Sequence, residues 1–200
     1  MTLRLDLQII SDWIPDGSRV LDLGCGNGTL LNHLQQRGIT GYGLEIDNSK
    51  FPDCLRAGIQ VIQADLDDGL RQFADHSFDY VILSQTLQAI KRPDFLLHEI
   101  MRVGQHGIIG FPNFGHWRCR LQLGLGGHMP VSKSLPNAWF ETPNIHLCTI
   151  KDFEKLCAAN RYNVLGRSVV NHAYKDTPAI RLLPNLFGET AVYLIQNIAS

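Results

Sequence analysis

The chain has no C-x-x-C pair. Its five cysteines, Cys25, Cys54, Cys119, Cys148 and Cys157, are odd in number and widely spaced, which argues for reduced thiols and against a disulfide framework or a zinc site. No apolar run is long enough to span a bilayer, and Met1-Thr2-Leu3-Arg4-Leu5-Asp6 lacks the basic and apolar regions of a secretory leader. Excess charge is missing as well: 18 lysines and arginines stand against 19 acids, so no global field favours nucleic acid or an anionic membrane surface. Internal repeats, low-complexity tracts and composition shifts are absent over the 200 residues. One domain, 1–200, is therefore expected, placed in the cytoplasm. With 44% hydrophobic and 18% charged residues the chain can build a proper core.

What the chain does have is Val20-Leu21-Asp22-Leu23-Gly24-Cys25-Gly26-Asn27-Gly28. Residues of buried-strand character run into three alternate glycines, and Thr29-Leu30-Leu31 opens a helical pattern reaching Leu34. A turn that passes a strand directly into a helix needs positive φ or close backbone approach, and a ligand lying on the loop leaves no room for β-carbons. The spacing excludes two ligand classes. Gly24, Gly26 and Gly28 occupy positions one, three and five where a dinucleotide fingerprint wants one, three and six, and Thr29 stands in the last place. There is no Gly-Lys-Ser/Thr ending, so a phosphate-cradling P-loop is out. Asp22, two residues ahead of the first glycine, suits a ligand with a positive amino or sulfonium group. Cys25 reads as a small side chain packed under the turn.

Between its strand and its helix, this stretch resembles motif I of the class I S-adenosylmethionine-dependent methyltransferases. The resemblance implies S-adenosyl-L-methionine or S-adenosyl-L-homocysteine as the ligand, with Asp22, Gly24, Gly26 and Gly28 against it.

The rest of the chain alternates in the same way. Leu7, Ile10, Trp13 and Ile14 keep helical spacing ahead of a first strand at 19–23, and this helix is expected to cover one edge of the ligand site. A second strand, 40–44, ends in Glu45-Ile46-Asp47. An acid there can accept from both ribose hydroxyls, and Glu45 is assigned that role, while Asp47 is read as serving the next helix start with Asn48 and Ser49. A third strand at 59–63 is followed by Asp65 and Leu66. The methyltransferase resemblance implies that Asp65 accepts from the adenine amino group and that the Leu66 backbone amide meets the ring, although a capping role suits Asp65 almost as well. The apolar run 78–84 reads as a central parallel strand, with Ser84-Gln85-Thr86-Leu87-Gln88 following it at the crevice edge. Pro93 opens a helix in which Leu97, Ile100, Met101 and Gly104 keep helical spacing, and 108–111 is a fifth strand. Segments 164–170 and 190–196, with no helix signal between them, read as an antiparallel pair closing the sheet. The fold expected is α/β and Rossmann-like, a class I methyltransferase fold with a seven-stranded, mostly parallel sheet, helices on both faces and an antiparallel last strand.

The connection 113–148 lacks clear periodicity and is longer than compact domains ordinarily carry. Trp117, Trp139 and Phe140 argue against disorder, and Thr149-Ile150-Lys151-Asp152 is a capping-box-like start for a closing helix with Phe153, Leu156 and Cys157 inward. Three blocks, Phe111-Pro112-Asn113-Phe114-Gly115-His116-Trp117-Arg118, His128-Met129-Pro130-Val131 and Thr142-Pro143-Asn144-Ile145-His146-Leu147-Cys148-Thr149, resemble the methionine biosynthesis protein MetW family. That resemblance covers nearly the whole chain and implies a partner or activator of homoserine O-acyltransferase in methionine synthesis.

Two functions follow as expectations. One is the partner role, with the cofactor acting as a signal. The other is methyl transfer to a small acceptor near Gln85, Asn113 or His116, a reaction that needs alignment more than an obligatory base. The spacing of His116, His128 and His146 matches no compact metal motif. His116, Trp117, Arg118 and Arg120 form a short basic cluster in a neutral protein, which speaks for a solvated face over nucleic acid. Anion recognition by His116 or Arg118 and simple loop packing stand equally open.

Overall fold

Alternation of residues along each strand divides the core in two. In the computed structural model, which describes residues 3–171 and 177–198, Val20, Ile82 and Ile108 bury toward one face of a sheet, while Leu21, Leu23, Val81, Leu83, Ile109 and Phe111 bury toward the other. Met1 and Thr2 of the N-terminal stretch lie outside that range. The strands are β1 (Arg19–Leu23), β2 (Thr40–Glu45), β3 (Gln60–Gln63), β4 (Phe78–Ser84), β5 (Gly104–Pro112), β6 (Tyr162–Val170) and β7 (Thr190–Asn197). They lie in the order β3-β2-β1-β4-β5-β7-β6, and β7 runs antiparallel to both of its neighbours. This is the seven-stranded, mostly parallel sheet with one reversed final strand.

On the Val20 face pack α1 (Leu5–Trp13), α2 (Thr29–Gln36) and α3 (Phe51–Arg56), through Ile10, Leu30, Leu31, Leu34 and Cys54. The opposite face receives α4 (Pro93–Val103) through Leu96, Leu97 and Ile100, and α6 (Ile150–Ala159) through Phe153 and Cys157. Leu156 of α6 is only partly buried. The α6 start is a full capping box: Thr149 Oγ1 accepts from the Asp152 amide at 3.2 Å, and Asp152 Oδ2 accepts from the Thr149 amide at 3.3 Å. Thr149→Ala is expected to cost about 1 kcal/mol of unfolding free energy, measurable as a lowered urea midpoint at unchanged slope.

Three regions differ from their expectation. First, β5 begins at Gly104, which keeps helical spacing in the sequence but already pairs with Phe78. A β-carbon at Gly104 would meet the Val81 side chain at 2.6 Å, so glycine permits the abrupt change from helix to strand. Second, α5 (Trp117–Gly124) occupies part of the aperiodic connection. Its apolar residues Trp117 and Leu121 recur over only eight residues inside a long connection, too short a run to stand out as a helix, and they face solvent. Third, α7 (Pro178–Leu182) and α8 (Pro184–Phe187) stand between β6 and β7, where no helix signal is visible. Helices of five and four residues are too short to print a 3.6-residue pattern, but each opens on a proline at its first position.

Candidate functional site

Strand register brings the candidate residues to one level. Leu23 pairs with Leu44 on one side and Leu83 on the other, while Glu45 pairs with Gln63. The loops leaving β1, β2, β3 and β4 thus emerge together at the carboxyl edge. The chain order reverses direction between β1 and β4, the position where open α/β sheets form a ligand crevice.

All three motif glycines adopt left-handed backbone, with φ of 71° at Gly24, 56° at Gly26 and 74° at Gly28. Each has a different neighbour. A β-carbon on Gly24 would meet Thr86 Oγ1 at 2.7 Å, and one on Gly28 would press on Cys54 Sγ at 3.2 Å. One on Gly26 would meet nothing within 4 Å, so this backbone is open to an incoming molecule. The loop is tied to β2, because the Gly24 and Cys25 amides both donate to Leu44 O, at 2.8 and 3.0 Å. Cys25 packs beneath the turn against Gly43, where a β-carbon would clash with its sulfur. Cys54 Sγ in turn donates to Gly26 O at 3.3 Å. Burial is the main cause that pushes the thiol of every cysteine up. Iodoacetamide at pH 8 should therefore label folded chain at least ~10-fold more slowly than urea-unfolded chain, with intact-mass spectrometry as the readout.

A cleft of about 540 Å³ lies on this loop, lined among others by Asp22, Gly24, Gly26, Ser84, Gln85 and Thr86, with Leu3, Arg4 and Leu7 from the N-terminal segment along its edge. Asp22 is 4% exposed, and no donor among the described residues reaches its carboxylate. Burial, with the Glu45 charge adding to it, pushes Asp22 up to about 7. The Ser84 hydroxyl is buried without a hydrogen-bond partner among the described residues. Gln85 holds φ of 56° while its amide donates to Gly110 O at 2.8 Å, a strained backbone for a non-glycine residue. An acid awaiting a cation, an open glycine backbone and an orphan hydroxyl fit a ligand that carries an ammonium or sulfonium beside polar groups. Thr86 lines the cleft, as its place in the stretch after the fourth strand implies, whereas Arg4 escaped sequence reasoning. Thr86 meets Gly24 only across the sheet, and Arg4 lines the cleft while holding Asp6 through two hydrogen bonds of 3.2 and 3.0 Å.

Glu45 stands at the end of β2 with its carboxylate already engaged. Oε2 accepts from the Gly26 amide at 2.8 Å, and Oε1 accepts from the amides of Ile46 and Asp47 at 2.9 and 3.0 Å. It therefore locks the glycine loop to β2 and keeps about one acceptor position of four in hand. Asp47 caps the turn at Asn48–Lys50 through the Ser49 amide at 2.9 Å, and the Ser49 hydroxyl first, with that amide, lowers its carboxyl from the ordinary value. Asp65 likewise accepts from the Asp67 amide at 2.9 Å, capping Leu66–Asp68, and lines a separate depression of about 760 Å³ with Ile62 and Arg92. The Leu66 side chain is buried in the core.

The other candidates are placed away from the cleft lining. Asn113 is 2% exposed, and its amide is spent on backbone: Nδ2 donates to Gly188 O at 2.8 Å and Asn185 O at 3.2 Å, and Oδ1 accepts from the Gly115 and Ile150 amides. His116 is buried with Nε2 3.9 Å from Glu189. His128 Nδ1 lies 3.0 Å from Gly126 O, and His146 Nε2 lies 3.1 Å from Lys91 O. Arg118 lies over the Trp117 ring at 5.4 Å, and Arg120 Nε donates to Gly115 O at 2.6 Å. No group of three or more metal-ligating side chains is found among the described residues. No helix among them is long and apolar enough to cross a membrane.

Comparison with known proteins gives a consistent result. The family model for methionine biosynthesis protein MetW matches residues 4–195. A bifunctional methionine biosynthesis protein MetXA/MetW from Rhodopirellula baltica is 40% identical over 166 residues, covering 78% of this chain and 27% of that protein. Pavine N-methyltransferase from Thalictrum flavum subsp. glaucum is 25% identical over 112 residues, covering 52% of this chain and 32% of that enzyme. The chain thus spans about a quarter to a third of the length of these relatives. Among solved structures, an S-adenosylmethionine-dependent methyltransferase from Mesorhizobium loti superimposes with a TM-score of 0.72 at 16% identity, covering 97% of this chain and 98% of that one. At that identity the likeness shows a shared methyltransferase fold.

Proposed function

From the premise that this chain belongs to the methionine biosynthesis protein MetW family, we propose that it holds S-adenosylmethionine or S-adenosylhomocysteine in the cleft on the glycine loop and serves homoserine O-acyltransferase as a partner in L-methionine synthesis in the cytoplasm. The observation that carries the partner role is the relative whose name joins MetXA and MetW. The cofactor is supported by the cleft itself. Asp22 would face the cationic end of the ligand, the Gly24–Gly26–Gly28 backbone would lie against it, Ser84 would supply a hydroxyl and Glu45 would take the ribose. Asp65 and the Leu66 amide are the proposed adenine contacts. When bound, S-adenosylmethionine supplies a methyl group on a sulfonium, whereas its demethylated form supplies only a binding surface. As a signal, either would require different affinities in the free and partnered chain.

The test is the homoserine acylation rate of the same organism's acyltransferase, alone and with this chain. A rise on adding the chain supports the partner role; an unchanged rate without co-elution sinks it. The second reading, methyl transfer to a small acceptor, is favoured by the Pavine N-methyltransferase similarity and by the strained Gln85 at the cleft, with Asn113 and His116 as further candidates on β5's exit. Screening acceptors for release of S-adenosylhomocysteine tests it.

A further inference from the structure

An amphipathic helix ordinarily turns its apolar stripe to the core, but α5 turns it to water. Trp117, Leu121 and Leu125 recur every fourth residue and are all exposed, whereas Cys119 on the other side is buried. The stripe belongs to a larger pattern. Ten of the nineteen exposed large apolar side chains among the described residues fall between 113 and 148, under a fifth of the chain. Trp139 and Phe140, 73% and 68% exposed, meet edge to face at 5.6 Å.

The segment is held in place. Cys119 and Leu135 are buried, and the Gln122 side chain exchanges two hydrogen bonds with the Val131 backbone at 3.1 and 2.8 Å. Its far limb is anchored beside the cleft: the amides of Ile145 and His146 both donate to Gln88 O, at 2.9 and 3.0 Å. Gln88 Nε2 donates at 2.7 Å to Gln85 O, and Gln85 lines the cleft. Charge is uneven across the same stretch. Residues 113–148 carry Arg118, Arg120 and Lys133 against Glu141 alone, in a chain of net charge −1.

We propose that the exposed apolar side chains of segment 113–148, Trp117 and Leu121 on α5 together with the Trp139–Phe140 pair, are where homoserine O-acyltransferase docks, through a surface that is both apolar and acidic. This rests on the partner role proposed above and adds the site of contact. Exposed tryptophan and phenylalanine are the residue types that carry interface energy when covered. The basic excess of the segment selects the occupant: a second copy in a two-fold arrangement would set basic segment against basic segment, whereas an acidic partner surface is complementary. The hydrogen bonds to Gln88 tie the far limb of the same segment, at Ile145 and His146, to the edge of the ligand cleft, so the segment that meets the partner is joined to the cofactor site.

The experiment measures binding of this chain to the same organism's homoserine acyltransferase by calorimetry, alongside S-adenosylhomocysteine binding as a check on folding. Trp139→Ala combined with Phe140→Ala is expected to weaken the complex at least about 30-fold, while Leu55→Ala, an exposed apolar residue on α3, leaves it unchanged. Lys133→Glu, at an exposed position, is a second variant should the double variant not fold; it should weaken binding and reduce its salt dependence. Wild-type binding that neither variant alters overturns the docking site and leaves the partner role standing. A wild-type chain that neither binds nor stimulates the enzyme overturns the partner role itself. Loss of a homodimer in the double variant, with enzyme binding intact, assigns the face to a second copy and overturns the proposal.

Discussion

Glu45→Ala is expected to weaken S-adenosylhomocysteine binding by about 100-fold and to remove the stimulation of homoserine acylation. The carboxylate accepts three backbone hydrogen bonds, one from Gly26 in the cofactor loop and two from Ile46 and Asp47. Bonds to an ionised acceptor contribute roughly 1.5–3 kcal/mol each, so losing the Gly26 bond alone approaches the ~2.7 kcal/mol that 100-fold represents. Alanine also leaves the Gly26 amide without its partner, and a loop with three left-handed residues in five relaxes when its tie to β2 is cut. Glu45→Gln keeps one acceptor oxygen and should fall between the two, near 10-fold. Calorimetric titration of both variants decides the matter: full affinity in Glu45→Ala would remove this residue from the site.

The second large effect concerns Asp22 and pH. Its folded carboxyl sits at about 7, above an ordinary value of 3.8, because burial disfavours the charge. The native state therefore holds a proton that the unfolded chain releases, and between pH ~4 and ~7 stability falls as pH rises. The shift corresponds to a loss on the order of 4 kcal/mol, complete above pH ~7. Asp22→Asn removes this loss but leaves a buried amide unpaired at about 1–3 kcal/mol. It should be more stable than wild type by about 2 kcal/mol at pH 8 in urea denaturation, with the advantage gone at pH 4. Binding should run the other way. A cationic ligand group favours ionised Asp22, so affinity of the wild-type chain for S-adenosylhomocysteine should climb by up to about tenfold per unit from pH 5.5 to 7 and level off above. Asp22→Asn should bind weakly with a flat profile. A wild-type profile as flat as that of the variant would show that Asp22 does not face a cation.

Stability and ligand affinity thus oppose each other at a single residue, which is ordinary for a site built before its ligand arrives. The same reasoning explains why Asn113 is expected to matter for folding whatever its chemical role. Its amide joins the exit of β5 to the Gly188 region ahead of β7 and to the start of α6.

The sequence by itself determined the alternation of strands and helices, the glycine turn after β1 and the acid closing β2, because those are local: period, punctuation and the steric freedom of glycine are properties of short stretches. It also determined the capping box at Thr149 and the cap at Asp47, which are complete within four residues. Only the tertiary structure decided what those residues meet. That Thr86 closes on Gly24, that Glu45 is bound to the Gly26 amide and that Asp22 lies buried without a donor among the described residues depend on strands far apart in the chain brought into register, and no short-range pattern encodes them. The outward stripe of α5 was hidden for a related reason. Periodicity shows which residues share a face of a helix, but whether that face meets the core or water is decided only by packing.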